Sequence, residues 1–215
     1  MQRWLTRNGP YRQLYAVSGC KVYCCRRVFP AENVSDIISI DLGIKNLAWV
    51  HIDRNLHIKD WHLSELGKMK PYKPFHLFQL VEEFVDHLPS TDAIVLELQY
   101  HRPSKLGVGM NLRCLEAMLY GYLGRVYPVL SISSRTVQGL FHLPTGREKK
   151  RESTRLVQDM LNGDKVTGKS WQETDRKLFV SEYLSAMFRE STKKDDLADC
   201  LLLALAFFHL TKKVT

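Results

Sequence analysis

The 215-residue sequence predicts an α/β domain over residues 36–211, built as a mixed five-stranded sheet flanked by helices. Two observations carry this prediction. Three short apolar segments follow one another with only tight turns between them, which indicates an antiparallel meander because turns this short cannot join parallel strands. The remaining segments alternate helix with strand and end in helices, and this order places helices on the faces of the sheet.

The meander begins with strand 36–41, in which the run Ile-Ile-Ser-Ile ends at Asp41. Residues 46–52 form the predicted second strand and residues 56–61 the third, with a turn at 53–55. Residues 75–88 repeat apolar side chains at helical spacing.

The later elements are predicted by the same patterns. Residues 93–98 and 129–132 are apolar strands, and Ser133 and Ser134 can cap the helix that follows. The other predicted helices span 112–126, 152–161, 172–189 and 195 or 196 to 211. Basic loops are predicted at 68–74, 100–109 and 144–151.

The net charge of +8 is unevenly distributed. Six of the positive charges lie in residues 1–31, which contain no acidic residue. This composition is typical of a mitochondrial transit segment, and the alternative is a basic arm that is disordered or touches DNA. Localisation in the mitochondrial matrix is therefore expected.

Other function classes are disfavoured by composition. Five cysteines, three of them in the first 31 residues, do not suggest a disulfide framework, and their spacing is poor for a zinc site. No apolar run approaches the roughly 18 residues of a membrane span. The longest apolar run, residues 201–210, is predicted to be a buried helix.

Three acidic positions lie in apolar surroundings. Asp41 ends one apolar strand, and Glu97 lies within another, Ile-Val-Leu-Glu-Leu. A buried carboxylate costs several kcal/mol unless it is paired or binds metal. Asp195, Asp196 and Asp199 begin the last helix, where helical spacing places Asp199 on one face with either of the others. Capping explains the first two acids of this helix, but it explains Asp199 less well.

Together these acids predict a site for hard divalent cations. Mg²⁺ and Mn²⁺ prefer carboxylate oxygen and water, and two such ions support phosphodiester cleavage. Carboxylates packed this closely repel one another unless a cation neutralises them. No small-molecule substrate is expected.

The segment Ile40-Asp41-Leu42-Gly43-Ile44-Lys45-Asn46-Leu47-Ala48 resembles the first-strand motif of the fungal mitochondrial Holliday-junction resolvases. Three further motifs of that family are matched, and the resemblance covers about residues 36–210. They are Glu97 followed by Gln99 and Arg102, the turn Ile132-Ser133-Ser134-Arg135, and the helix start Lys193-Lys194-Asp195-Asp196-Leu197-Ala198-Asp199.

The resemblance implies a ribonuclease H-like core, a homodimer, and paired nicks across four-way junction DNA with Mg²⁺ or Mn²⁺, two ions per site. It implies Asp41, Glu97 and Asp199 as metal ligands. The remaining ligand is Asp195 or Asp196, of which Asp196 is assigned to the metal while both are kept as catalytic candidates. A twofold dimer also suits a substrate with twofold symmetry, and helix 112–126 supplies either its interface or core packing.

Basic residues near these motifs predict a surface that contacts the DNA backbone without reading sequence. Solvated loops are the alternative for each cluster. The candidates are Lys45, Arg102, Lys105, Arg147, Lys149, Lys150, Lys193 and Lys194.

Two other functions remain open from sequence. One is a ribonuclease H that acts on RNA–DNA hybrids, or another single-site nuclease of this fold. The other is a catalytically inactive junction-binding protein, for which a lost acid would be the signature, and none of the acids is lost.

Overall fold

The structure, a computed structural model, describes residues 12–15, 21–24, 33–43, 45–65, 73–98, 106–163 and 178–212, with only the backbone described for 12–15, 21–24, 106–110 and 212. The strands are β1 (Arg12–Tyr15), β2 (Lys21–Cys24), β3 (Asp36–Asp41), β4 (Leu47–Asp53), β5 (Ile58–Ser64), β6 (Ala93–Leu98) and β7 (Val129–Ser133). The helices are α1 (Pro74–Asp86), α2 (Leu106–Leu123), α3 (Ser134–Phe141), α4 (Arg147–Asn162), α5 (Glu182–Glu190) and α6 (Lys194–Lys212).

The predicted five-stranded mixed sheet is confirmed, with strand order β7-β6-β3-β4-β5. β3, β4 and β5 form the antiparallel meander, and β6 lies parallel to both β3 and β7. Two further strands extend the sheet to seven, because β2 pairs antiparallel with β7 and β1 pairs with β2. Both lie within residues 1–31, and the transit segment assigned to that stretch stays a prediction.

The sheet has an apolar layer on each face. Side chains alternate across a strand, so Ile37 of β3 faces the layer that contains α6, whereas Ile38 and Ile40 face α1 and α2. The acid-bearing positions follow the same alternation. Asp41 lies two residues from Ser39 and four from Ile37, and therefore projects toward the α6 side.

Helix α6 forms the centre of one layer. It packs over β3 and β4, and α3 and α4 pack against it. Its side chains from Leu197 to Phe208 are almost all fully buried, as predicted for the apolar run. No helix in the described part of the chain has both the length and the apolar character needed to span a bilayer.

Several predicted boundaries are wrong. α2 begins at Leu106, inside the predicted loop 100–109, and β5 ends at Ser64 and not at residue 61. Residues 147–151, predicted as the end of a loop, form the first turn and a half of α4, which begins after Gly146 at a φ of 73° that favours glycine. Residues 178–181, predicted as helix, are extended instead. Phe179 pairs with the backbone beside β5, donating its N–H to the Leu56 carbonyl over 3.0 Å and accepting from Ile58 over 2.8 Å.

The cap predicted at the end of β7 is confirmed. Ser133 Oγ accepts a hydrogen bond of 3.1 Å from the backbone N–H of Thr136, which fixes the turn from β7 into α3. Cys114 and Cys200 carry free thiols.

Candidate metal centre

Asp41 and Glu97 meet at one edge of the sheet. β3 and β6 are parallel neighbours whose last register pair is Ile40 with Leu96, and each acid comes one residue later. Parallel strands end at the same edge, so the two carboxyl groups lie side by side on the α6 face.

The backbone after Asp41 is tightly folded. A Cβ at Gly43 would lie 1.9 Å from the carbonyl oxygen of Asn46, so only glycine fits there. This close approach lets the chain leave β3 and return along β4 immediately beyond Asp41. In the Asp-Leu-Gly sequence, glycine is therefore required for steric reasons, while the acid is the candidate for chemistry.

Helix α6 brings the third acid to the same edge. The beginning of the helix is held by Trp61 of β5, whose indole Nε1 donates to the carbonyl of Leu197 over 3.2 Å in the buried core. Trp61 also stacks on Phe188 of α5, with ring centroids 5.0 Å apart. Asp199 lies two residues after this anchor and reaches the pocket beside Asp41.

The three carboxylates share one small pocket. Its lining consists of Asp41, Glu97, Ser134, Val137, Lys149, Asp199 and Leu203. Ser134, Val137 and Leu203 were not predicted from the sequence as site residues. Leu203 could have been found from its position one turn after Asp199, since residues four apart share a helix face. Ser134 and Val137 lie in the first turn of α3, directly after the predicted cap and family motif at the end of β7, for which no role in the site was predicted.

The electrostatics of the pocket are unfavourable for ionised carboxyls. Burial, followed by the negative charges of Glu97 and Asp199, raises the pKa of Asp41 well above its ordinary value of 3.8. The charge of Asp196 acts in the same direction. Burial and the neighbouring Asp195 also raise the pKa of Asp196. The cluster therefore holds more negative charge than its surroundings stabilise.

Two lysines of α4 offset part of this charge. Lys149 Nζ lies 2.5 Å from Asp199 Oδ2, and Lys150 pairs with Asp195. Burial opposes the charge on Lys149, but Asp199 raises the pKa of its ammonium, with help from Glu97 and Asp41. The hydrogen bond with Asp195 raises the pKa of Lys150. Burial opposes ionisation of Asp195, but Lys150 lowers its pKa.

The predicted acids thus separate into two groups. Asp41, Glu97 and Asp199 line the pocket, and Asp196 lies near enough to raise the pKa of Asp41. Asp195 is instead held by Lys150 at the side of the cluster. The metal assignments stay predictions.

The predicted DNA-binding residues differ in exposure. Lys45 and Arg147 are exposed, while Lys193 and Lys194 are half-buried at the start of α6. Lys149 and Lys150 contact acids of the cluster, which their assignment to DNA did not anticipate. Arg102 and Lys105 lie outside the described residues.

The donor set suits a hard divalent cation in chemistry, because it consists of carboxylate oxygens with a surplus of negative charge. Within the described residues, however, no three Asp, Glu, His or Cys side chains are arranged closely enough to hold a metal ion as they stand. Lys149 already occupies Oδ2 of Asp199, so a metal ion that bound through that oxygen would have to displace the ammonium.

The mixed five-stranded sheet with helices on both faces is an α/β fold of the ribonuclease H-like kind, and solved structures share it. The yeast mitochondrial Holliday junction resolvase superposes with a TM-score of 0.62 at 20% identity, covering 84% of this chain and 82% of that one. RuvC of T. thermophilus, solved with a Holliday junction substrate, superposes with a TM-score of 0.51 at 14% identity, covering 80% and 94%. The fold predicted from sequence is therefore confirmed.

The relatives that are similar in sequence carry a different name from the structural neighbours. Proteins named mitochondrial transcription elongation factor are 28% identical over 188 residues in rat and 27% identical over 195 residues in human, covering 82% of this chain. The chain spans about half the length of these curated relatives, 51% of the rat protein and 52% of the human one. No family model matches the chain.

Proposed function

We propose that the chain is a structure-selective endodeoxyribonuclease that resolves four-way DNA junctions by paired, metal-dependent nicks. The observation that supports this most is the convergence of Asp41, Glu97 and Asp199, from three separate elements, on one pocket at a sheet edge. Acids that serve only the fold are normally paired with donors. Here, burial and then the negative charges of Glu97 and Asp199 raise the pKa of Asp41, which favours a functional reason for keeping the acids together.

Asp41, Glu97, Asp199 and Asp196 would hold Mg²⁺ or Mn²⁺, with two ions expected. Bound metal supplies a nucleophilic water at neutral pH and stabilises charge at the scissile phosphate. The protein's own part is to position the carboxylates. Gly43 and Trp61 fix the backbone on either side of the pocket, and Val137 and Leu203 give it an apolar wall that restricts water.

The DNA backbone would be held by cations beside this pocket. Arg147 begins α4 and is exposed two residues before Lys149, while Lys193 and Lys194 precede the acids of α6. Lys45, Arg102 and Lys105 belong to the same proposed surface, with Lys150 at its side. Contacts of this kind predict binding that weakens steeply with salt.

The proposed setting is DNA recombination in the mitochondrial matrix. It rests on the basic residues 1–31 and on the mitochondrial names of the yeast resolvase and the curated relatives. The proposed assembly is a homodimer, because two symmetric nicks need two sites related by a twofold axis.

The first test incubates the purified protein with a labelled four-way junction and a labelled RNA–DNA hybrid, in Mg²⁺ or in EDTA. We expect paired nicks in the junction only with metal, and loss of cleavage in Glu97→Gln with junction binding retained. Stronger cleavage of the hybrid would assign the chain to the ribonuclease H alternative. Cleavage that persists in EDTA would exclude the proposed chemistry.

A second candidate is a nucleic-acid-binding protein that does not cleave and that acts in mitochondrial transcription. Two observations favour it. The sequence relatives carry the name of a mitochondrial transcription elongation factor, and Lys149 and Lys150 already neutralise acids of the cluster. Such a protein would bind nucleic acid through the same basic surface.

The same experiment separates the two candidates. A protein that binds the junction in a salt-dependent manner and leaves it intact in both Mg²⁺ and Mn²⁺ supports the second. In that case, addition to a reconstituted mitochondrial transcription reaction should increase the length of transcripts, and Glu97→Gln should act as the unaltered protein does.

A further inference from the structure

The pocket that holds the acid cluster contains one cation of its own. Among the described residues that line it, Lys149 is the basic side chain, facing Asp41, Glu97 and Asp199. Its ammonium contacts Asp199 directly and also interacts with the charges of the other two acids. Three carboxyls thus share one positive charge inside the fold.

The placement of Lys149 is fixed by packing. α4 lies against α6, so the lysine projects from one helix onto an acid of the other. The side chains of the pair are mostly buried, with 16% of Lys149 and 21% of Asp199 exposed. A buried ion pair of this kind leaves a costly unpaired charge when one partner is removed.

The next residue offers a matched comparison. Lys150 pairs with Asp195, also on α6, but 63% of the Lys150 side chain is exposed. Exposed pairs contribute little to stability, since water screens them. The two lysines are therefore equal in charge and neighbours in sequence, and they differ in whether they face the pocket.

We propose that Lys149 is an internal counter-cation, which offsets part of the negative charge of the acid cluster in the metal-free protein and competes with divalent metal for Asp199. The flexible stem of lysine lets the ammonium withdraw without movement of the helix. Metal entry then exchanges one cation for another, so the acid cluster has a counter-charge in both states. The inference rests on the proposed function only in taking this pocket as the metal site.

The test compares thermal unfolding of the unaltered protein, Lys149→Met and Lys150→Met, first in EDTA and then with Mg²⁺ or Mn²⁺ titrated in. In EDTA we expect Lys149→Met to lose roughly 5 °C or more in Tm, and Lys150→Met about 2 °C or less. With metal, the apparent Kd of Lys149→Met should fall about tenfold, because the competing charge is gone. Lys150→Met should bind metal as the unaltered protein does.

Equal Tm values for the two variants in EDTA would overturn the proposal, as would an unchanged metal Kd in Lys149→Met. Lys149→Arg keeps the charge and should keep both values near those of the unaltered protein. If Lys149→Met does not fold in EDTA, the double variant with Asp199→Asn decides. The proposal requires the double variant to fold, because the charge surplus is reduced, and its failure to fold would overturn the proposal.

These measurements contain no DNA and read no cleavage. A protein that binds metal competitively with Lys149 but does not nick junctions would contradict the proposed nuclease function and leave the counter-cation role intact. If the protein nicks junctions while Lys149→Met shows no gain in metal affinity, the nuclease function stands and the counter-cation role is contradicted.

Discussion

The two ends of β3 carry the same residue type in opposite electrostatic environments. At the start of the strand, Asp36 is surrounded by donors, with Thr91 Oγ1 donating to Oδ1 over 2.9 Å and Lys59 paired with Oδ2. His51 Nε2 lies 3.3 Å from Asp36 Oδ1. At the other end, Asp41 is surrounded by acids.

The pKa shifts follow from these neighbours. Burial opposes ionisation of Asp36, but the hydrogen bonds from Lys59 and Thr91 lower its pKa. Burial and the charges of Glu97 and Asp199 raise the pKa of Asp41. Asp36 therefore strengthens the fold as an ion, whereas ionised Asp41 weakens the metal-free fold. An acid kept at a cost to the metal-free fold is a candidate for chemistry, and an acid that is well paired is a candidate for structure.

The largest expected effect separates the two acids by function. Asp41→Asn should reduce junction cleavage by more than about 100-fold, because it removes a proposed metal ligand. Its Tm in EDTA should be unchanged or higher, because one like charge is gone from the cluster. Cleavage kinetics on a labelled junction and thermal unfolding measure the two quantities.

Asp36→Asn is the matched control and should do the opposite. Cleavage should change little, while stability falls by about 1 kcal/mol, because the part-buried hydroxyl of Thr91 loses its charged acceptor and the exposed Lys59 pair adds little. If Asp41→Asn retains cleavage, Asp41 is not part of the metal site. If Asp36→Asn loses cleavage at full stability, the division of β3 into a structural and a functional end is wrong.

The sequence predicts the positions of the clustered acids better than it predicts which residues contact them. Period-two alternation in β3 and β6 is sufficient to place Asp41 and Glu97 on one face, and helical spacing places Asp199 on one face of α6 with Asp195 or Asp196. These are local patterns, whereas the strand order that brings β6 beside β3 was not predicted from them.

The partners depend on contacts between distant segments. Lys149 belongs to a run predicted as a DNA-contacting loop, yet it lies on α4 with its ammonium on an acid 50 residues away. Phe179 was predicted as helix but pairs beside β5, since backbone hydrogen bonds to Leu56 and Ile58 outweigh its local pattern. Neither contact has a signature in residue spacing, because both depend on how the layers pack.

A smaller effect should appear in the pH dependence of stability in EDTA. Asp36 has a folded pKa below its ordinary value of 3.8, so its stabilising contribution is complete above that value and is lost as the pH falls through the folded pKa. Asp41 has a folded pKa well above 3.8, so stability falls as the pH rises from that value toward the folded pKa.

Thermal unfolding measured from about pH 3 upward should resolve both slopes. Asp36→Asn should flatten the rise of Tm with pH in the most acidic range. Asp41→Asn should flatten the fall of Tm at higher pH. Identical pH profiles for the two variants would contradict the opposite environments assigned to the two acids.

The smallest expected effects come from variants of the residues that hold the surroundings of the two ends of β3 in place. Trp61→Phe removes the hydrogen bond to the Leu197 carbonyl that fixes the start of α6, and Thr91→Val removes the hydroxyl that donates to Asp36. Each loss should reduce stability by about 1 kcal/mol, a fall in Tm of roughly 2–4 °C.

The two variants should differ in metal binding despite their similar stability. Trp61→Phe loosens the helix that carries Asp199 and should raise the apparent metal Kd severalfold. Thr91→Val should leave the metal Kd unchanged. Equal metal affinity in both variants would mean that Asp199 is positioned by the packing of α6 on the sheet alone. In that case the indole contributes to the fold but not to the geometry of the acid cluster.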